Sequence, residues 1–365
     1  MSNHDVQEEA AQGLPPITQT TAAPPAPVAP GPPGRAQSAF VSTLRENGFG
    51  IVLLIVGIVV LWLTVPNFLT TNNILTILQQ VSIVGVVAIG MVFVVLTAGI
   101  DLSVGSALAL TGVLFAQFVN DGVTPWLSVV IAIGIGGVFG LVNGLGIVAL
   151  RIQPFVMTLA TLAIGAGVAL SISNGSEILT KRSDGFVNFL GNGGIGSFPG
   201  EFIVFAAVVA VGWVVARYTT FGRHVYAVGA NAETARLSGI RVQRVLLAVY
   251  VIVGACAGLA GVMTSAQLGA GEPTAGSLTN LQAIAAVVIG GVSLFGGRGG
   301  VIGGLIGAFV LAIIANVLVL LGVSPYSSQT IQGIVIIAAV LIGSREARTW
   351  VATQLRTGAG RLRNA

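Results

Sequence analysis

The sequence predicts an all-α polytopic membrane protein with about ten transmembrane helices, some of them broken. Hydrophobic residues make up 54% of the 365 residues and charged residues only 8%, about a third of the charged fraction of a soluble domain. No charged residue occurs between Glu46 and Asp101 or between Arg298 and Arg345. Glycine is the third signal, because many of the 51 glycines lie inside these apolar stretches, as in tightly packed membrane helices.

Ten apolar segments are candidates for membrane spans, since about 20 apolar residues cross a bilayer as a helix. Pro66 closes the first of them. The eighth is short for a complete crossing, so we expect it to be re-entrant or broken. The predicted spans are 48–65, 74–98, 102–119, 126–149, 154–173, 199–216, 244–264, 281–295, 299–322 and 328–343.

The spans divide the chain into three regions. Residues 1–44 are rich in proline and alanine, and eight of the fourteen prolines lie before residue 39. Such a composition cannot bury enough apolar surface to order itself, so we expect a disordered cytoplasmic tail. Residues 45–344 form the transmembrane domain, and residues 345–365 form a basic cytoplasmic tail.

The distribution of basic residues supports the ten-span order. With the N-terminus in the cytoplasm and strict alternation, fourteen of the sixteen lysines and arginines fall on the cytoplasmic side. Only Lys181 and Arg182 fall outside, in the long loop at 174–198. Because cytoplasmic loops carry the excess of basic residues, the pattern predicts that both termini are cytoplasmic.

Glycines spaced by four residues predict close helix packing. Gly136, Gly140 and Gly144 share one face of the fourth span, and Gly254 and Gly258 share one face of the seventh. Small residues at this spacing let two helix backbones approach closely in lipid. We therefore expect a tight multi-helix bundle.

One acidic residue, Asp101, stands between two apolar spans in the stretch "GIDLSVGS". As an N-cap it would accept backbone N–H groups at the start of the third span. As a functional group it would line a pathway or hold a gate. The two roles are compatible.

A second glycine-rich break, "GGVSLFGGRGG", runs from Gly290 to Gly300. Irregular backbone at membrane depth is tolerated where it is buried in protein or lines a cavity, and transporters use such breaks at their pathways. The candidate pathway or gate residues are therefore Asp101, Ser103, Asn143, Ser293 and Phe295.

The longest cytoplasmic loop, 217–243, contains a short helix pattern. Asn231 is placed to cap it, Glu233 lies in its first turn, and Gly239 follows its end. The loop is either a solvated connector or a docking helix.

Catalytic constellations are missing from the sequence. The two histidines lie in the tail and in a cytoplasmic loop, and no phosphate-binding G-x-x-x-x-G-K-[ST] motif occurs. We expect no metal, no cofactor, no ATP hydrolysis by this chain and no nucleic-acid partner. The protein is not expected to be an enzyme.

Four stretches carry a resemblance to a known family. They are "LTAGIDLSVGS", "RIQPFVMTLATLAIGAGVAL", "VGANAETARLSGI" and "GGVSLFGGRGGVIGGLIGA". In this order they resemble the monosaccharide-type permease subunits of bacterial ABC importers, the ribose, xylose, arabinose and galactose group.

The resemblance implies a multi-pass protein of the bacterial plasma (inner) membrane that imports a monosaccharide or similar polyhydroxy solute. It implies ABC-type ATPase subunits, an extracytoplasmic sugar-binding protein and a second permease copy or paralogue as partners. ABC permeases carry a coupling pattern Glu-Ala-Ala-x-x-x-Gly, with Thr234 replacing its first alanine here. The implied coupling residues are Asn231, Glu233, Ala235, Arg236 and Gly239.

Two other function classes remain open at this level. An ion-coupled secondary transporter would use Asp101 to bind its coupling cation, although deep charges are few. A membrane receptor or scaffold would not need spans broken by glycine.

Overall fold

The computed structural model describes residues 35–180, 185–324, 327–334 and 337. Residues 1–41 and 42–365 are separate units, and only the helical residues 35–41 of the first are described. The helices are α1 (Arg35–Thr64), α2 (Thr71–Leu96), α3 (Val104–Asn120), α4 (Pro125–Val148), α5 (Pro154–Ile172), α6 (Gly185–Gly191), α7 (Gly200–Tyr218), α8 (Thr220–Ala230), α9 (Ala232–Leu237), α10 (Val242–Leu268), α11 (Thr279–Ile289) and α12 (Val301–Leu320). The strands are β1 (Ile178–Leu179), β2 (Gly194–Ile195), β3 (Phe198–Pro199) and β4 (Ala270–Gly271).

The helices confirm the all-α membrane class and place most predicted spans. Six helices in the described part of the chain, α2, α4, α5, α7, α10 and α12, are long and apolar enough to cross a membrane. Apolar α3 and α11 are shorter. Residues 35–44, which the sequence assigns to the tail, are helical. Most of the tenth predicted span, 328–343, lies outside the described residues, as do Lys181 and Arg182.

Helix α2 is the centre of the bundle. Every residue from Gly85 to Leu96 is buried, so this helix is apolar and covered on all sides. It packs against α7, α10, α11 and α12. A helix in this position ends inside the protein, and the backbone that follows it must satisfy its polar groups there.

Helices α4 and α10 make the closest backbone approach that the glycine spacing predicts. A Cβ added to Gly136 would lie 2.9 Å from Cα of Gly258, and one added to Gly140 would lie 2.8 Å from the carbonyl carbon of Tyr250. Ordinary carbon contacts are about 3.5–4.0 Å. The absence of side chains at these positions is what lets the two helices touch.

The outer helices present apolar surfaces that suit lipid. Helix α5 buries only Thr158, Thr161, Gly165 and Ala169, which are small residues at helical spacing. Its large side chains, such as Phe155, are exposed. Helix α4 shows the same division into a buried stripe of small residues and an exposed apolar face.

One end of the bundle carries small additional elements. Strand β1 pairs antiparallel with β4, and β2 pairs with β3. The Asn120 side chain donates to the Leu179 carbonyl at 2.7 Å. The loops at this end are those that the predicted alternation of spans places on the extracytoplasmic side.

Candidate functional site

The chain leaves α2 through a tight turn of the Schellman type. The Gly99 N–H donates to the Val94 carbonyl at 3.0 Å, and the Ala98 N–H donates to the Val95 carbonyl at 2.9 Å. Ala98 takes the left-handed position, with φ of 60°, at a cost of about 1–2 kcal/mol for a residue with a Cβ. Gly99 serves packing, because a Cβ there would lie 3.0 Å from the Tyr250 hydroxyl.

Beyond this turn, four polar side chains form a buried chain of hydrogen bonds. The Asp101 Oδ1 accepts from the Ser103 N–H at 2.8 Å and from the Ser103 hydroxyl at 2.6 Å. The Asn143 amide donates to Ser103 Oγ at 2.7 Å, and the Thr161 hydroxyl donates to Asn143 Oδ1 at 2.7 Å. This Asp101 network joins the start of α3 to α4 and α5.

The expected N-cap role of Asp101 needs correction. Ser103 is the residue that precedes α3, and it makes no side-chain capping bond. Asp101 instead bonds to Ser103 itself, which folds the two residues ahead of the helix into an Asx-type turn. The carboxylate therefore fixes the turn before α3 and does not cap its first-turn amides.

The network lies inside the bundle. Asn143 precedes the end of α4 by five residues and Thr161 follows the start of α5 by seven, so they lie about 7–10 Å from those helix ends at 1.5 Å per residue. The Tyr250 hydroxyl, on α10, donates to the Ile100 carbonyl at 3.2 Å. Asp101 is 1% exposed. In this conformation the Asp101 network holds α3, α4 and α5 together and does not face an open passage.

The other two pathway candidates lie elsewhere. Ser293 and Phe295 belong to the loop at 290–300, here called the Gly loop, and Phe295 is 80% exposed. The loop folds on itself, because the Ser293 N–H donates to the Arg298 carbonyl at 3.0 Å. The structure thus joins Asp101, Ser103 and Asn143 by hydrogen bonds, and Ser293 and Phe295 lie in a different segment that is not part of this network.

The short helix predicted in the 217–243 loop is present as α9. The Asn231 side chain accepts from the Thr234 N–H at 2.9 Å, which is the predicted N-cap. Gly239 has φ of 83°, and the Ile240 N–H donates to the Ala235 carbonyl at 3.0 Å. Both ends of α9 are therefore closed by residues of the predicted pattern.

The surface of α9 is almost entirely exposed. Arg236 donates two hydrogen bonds to the Glu233 carboxylate, at 3.0 and 2.6 Å, and this guanidinium lowers the pKa of Glu233. Leu237 is 75% exposed, whereas Ala235 is buried against the bundle. The exposed face of α9 therefore presents the Glu233–Arg236 ion pair and Leu237 to the surroundings.

The sequence does not predict α8, the helix immediately before α9. Thr219 caps it by accepting from the Gly222 N–H at 3.1 Å, and it buries Val225 and Val228. The signal was available in the Thr219 cap and in the spacing of Gly222, Val225 and Val228 on one helix face.

A basic groove lies between α8 and the start of α10. Its volume is about 370 Å³. His224, Arg241 and Arg244 are exposed there, and no carboxylate lines it. Gly239 also lines the groove, so it adjoins α9. In the described residues, no group of three or more histidine, cysteine, aspartate or glutamate side chains could hold a metal ion.

Comparison with known proteins gives a consistent result. Residues 73–340 match the family described as branched-chain amino acid transport system / permease component. The chain is 40% identical to the ribose import permease protein RbsC of Escherichia coli (strain K12) over 306 residues, 83% of this chain and 95% of that protein.

Two further relatives have other sugars in their names. The D-allose transport system permease protein AlsC of Escherichia coli (strain K12) is 39% identical over 83% of this chain and 93% of its own length. The fructose import permease protein FrcC of Rhizobium meliloti is 37% identical over 76% and 79%, respectively. No solved structure matches the chain.

Proposed function

Because this chain belongs to the family of branched-chain amino acid transport system permease components, we propose that it is the permease of an ATP-driven importer for a monosaccharide or similar polyhydroxy solute. The observation that carries the proposal is the 40% identity to a ribose import permease along 95% of its length. The chain is a multi-pass inner-membrane transporter subunit and not an enzyme.

Such a subunit works with other chains. Because the relatives are import permeases, we propose an ABC-type ATPase and an extracytoplasmic binding protein as partners of this chain. We assign ATP hydrolysis to the ATPase and sugar capture to the binding protein. A second permease copy or a paralogue completes the pathway, which then lies between the two permeases.

The ATPase docks on α9 in this proposal. Asn231 and Gly239 close the two ends of the helix, and buried Ala235 seats it against the bundle. Glu233 and Arg236 present their ion pair on the exposed face. The adjoining groove with Arg241 and Arg244 would receive an acidic side chain of the ATPase by charge complementarity.

We propose ten alternating spans with both termini in the cytoplasm, and two contacts support the order of the spans in the middle of the chain. The Gly297 N–H donates to the Leu96 carbonyl, which joins the end of α2 that is assigned to the cytoplasmic side to a loop assigned to the same side. The Thr180 N–H donates to the Gly269 carbonyl, which joins two loops assigned to the outside. An added or missing span would separate segments that these hydrogen bonds hold together.

The Asp101 network has a structural role beside the pathway, because its hydrogen bonds fix α3, α4 and α5 relative to one another. Ser103 and Asn143 hold the start of α3 against α4 and α5. When the cavity switches from outward-facing to inward-facing, these helices either keep the hydrogen bonds of the network or lose all of them together. Asp101 would stabilise the turn and would not bind the sugar.

The ion-coupled alternative is not favoured, because the relatives are permease components of sugar importers. Asp101 also has a structural role that needs no cation, because its Oδ1 accepts two hydrogen bonds from Ser103.

The test is uptake of radiolabelled ribose, fructose, allose and galactose by cells with and without this chain. We expect uptake of at least one sugar to depend on the chain, to resist ionophores that collapse ion gradients, and to stop when ATP is depleted. Uptake abolished by the ionophore at normal ATP levels would contradict the proposal.

A further inference from the structure

Three segments of the chain meet at the end of α2. They are residues 96–98 at the end of α2, residues 226–230 in the last turns of α8, and the Gly loop at 290–300. The Gly297 N–H donates to the Leu96 carbonyl at 2.9 Å, and the Tyr226 hydroxyl donates to the Gly299 carbonyl at 2.8 Å. Leu96 O is one of the carbonyls that a helix end leaves without an internal partner, so this contact completes α2.

The segments approach so closely that side chains would not fit between them. A Cβ on Gly229 would fall against the Leu96 carbonyl oxygen and lie 2.7 Å from the Gly297 nitrogen. A Cβ on Gly296 would lie 3.0 Å from the nitrogen of Ala98, the left-handed residue of the turn. The contact is made by backbone against backbone, which has little freedom to deform.

This junction stands between the proposed docking helix and the Asp101 network. Asn231 ends α8 and also caps α9, so no flexible residue separates the two helices. On the other side, the Ala98 turn is followed by Ile100, whose carbonyl binds Tyr250, and then by Asp101. Packed segments are therefore continuous from α9 to Asp101.

We propose that the end of α8 and the Gly loop form a rigid transmission junction that carries the movement of α9 to the turn after α2. Tyr226 and Gly229 are its positioning residues, and Ser293 and Phe295 belong to the junction rather than to the sugar pathway. The inference rests on the proposed function, since it needs an ATPase docked on α9.

The test measures sugar imported per ATP hydrolysed by the purified complex in proteoliposomes, with the sugar that the wild-type complex imports. Tyr226→Phe removes the hydroxyl and with it the hydrogen bond to Gly299. One such bond changes an equilibrium constant by about two- to tenfold, so we expect this ratio to fall by up to that factor. Gly229→Ala, which introduces a Cβ against Leu96, should lower the ratio further.

Matched controls separate transmission from folding. Tyr218→Phe alters an exposed tyrosine at the end of α7, and Gly167→Ala adds a Cβ where nothing lies within 4 Å. Both should keep the wild-type ratio. The Tyr226→Phe complex should also keep the wild-type amount of bound ATPase and its ATP hydrolysis.

The outcomes are distinct. An unchanged import-to-ATP ratio in both Tyr226→Phe and Gly229→Ala would refute the transmission role of the junction without contradicting the proposed import function. A fall in import that merely follows loss of bound ATPase would also overturn it. Failure of the wild-type complex to couple import to ATP at all would instead refute the proposed function.

Discussion

The glycine contact between α4 and α10 leads to a sharp stability prediction. Gly140→Ala would place a Cβ 2.8 Å from the Tyr250 carbonyl carbon and 3.1 Å from Cα of Val251. Ordinary contact needs about 3.5–4.0 Å, so the helices must separate locally by roughly 0.7 Å or more. Overpacking of this kind costs about 1–3 kcal/mol.

Gly134→Ala is the matched control for this prediction. It lies on the same helix, and nothing lies within 4 Å of its Cβ position. Both variants gain the same intrinsic preference of alanine over glycine in a helix, about 0.8–1.0 kcal/mol on scales measured in water. The difference between them isolates the cost of the contact.

The assay is thermal unfolding of the purified chain in mild detergent. We expect the Tm of Gly140→Ala to fall below that of Gly134→Ala by roughly 2–12 °C, at about 2–4 °C per kcal/mol. Equal Tm values for the two variants would refute the close approach of α4 and α10.

Three further outcomes follow from the polar groups. Asn143→Leu, which removes one hydrogen bond from each of the Ser103 and Thr161 hydroxyls, should lower the unfolding free energy by about 1–3 kcal/mol in denaturant melts, and an unchanged value would count against the Asp101 network. Asn231→Ala should destabilise the docking helix by about 1 kcal/mol and reduce the ATPase that co-purifies, whereas Asn231→Ser should retain it; equal recovery from both variants would contradict the capping role. Since the guanidinium lowers the pKa of Glu233, the ion pair should be complete above the ordinary glutamate value of about 4.3 and be lost only as the pH falls through the lower folded-state pKa. Carbon NMR of the Glu233 carboxyl should show this titration move to higher pH in Arg236→Ala, and an unmoved titration would argue against the pair.

Local signals in the sequence predict the helices and the ends of α9 well. Hydropathy locates α2, α4, α5, α7, α10 and α12 to within a few residues, because each must be apolar over its whole length. The caps of α9 are predicted because the hydrogen bonds that close its two ends span only three to five residues. The glycine spacing likewise gives the face of α4 that meets α10.

Contacts between distant residues could not be predicted from those signals. Asp101 resembles a helix cap in sequence, yet its partner Ser103 is held by Asn143, which is 40 residues farther along the chain. The Ala98 turn packs against the Gly loop nearly 200 residues away, and its left-handed residue is Ala98 although a glycine follows it. Helix α11 ends at Ile289, where the eighth predicted span continues to 295, because the Gly loop already begins there.

The most direct measurement of the central claim is isolation of the tagged chain from native membrane in mild detergent, with mass spectrometry of what accompanies it. We expect an ABC-type ATPase subunit to co-purify with the wild-type chain and to be lost when Glu233 and Arg236 are both replaced by alanine. An ATPase retained by that double variant would contradict docking on α9. A wild-type chain isolated without any ATPase would contradict the importer itself.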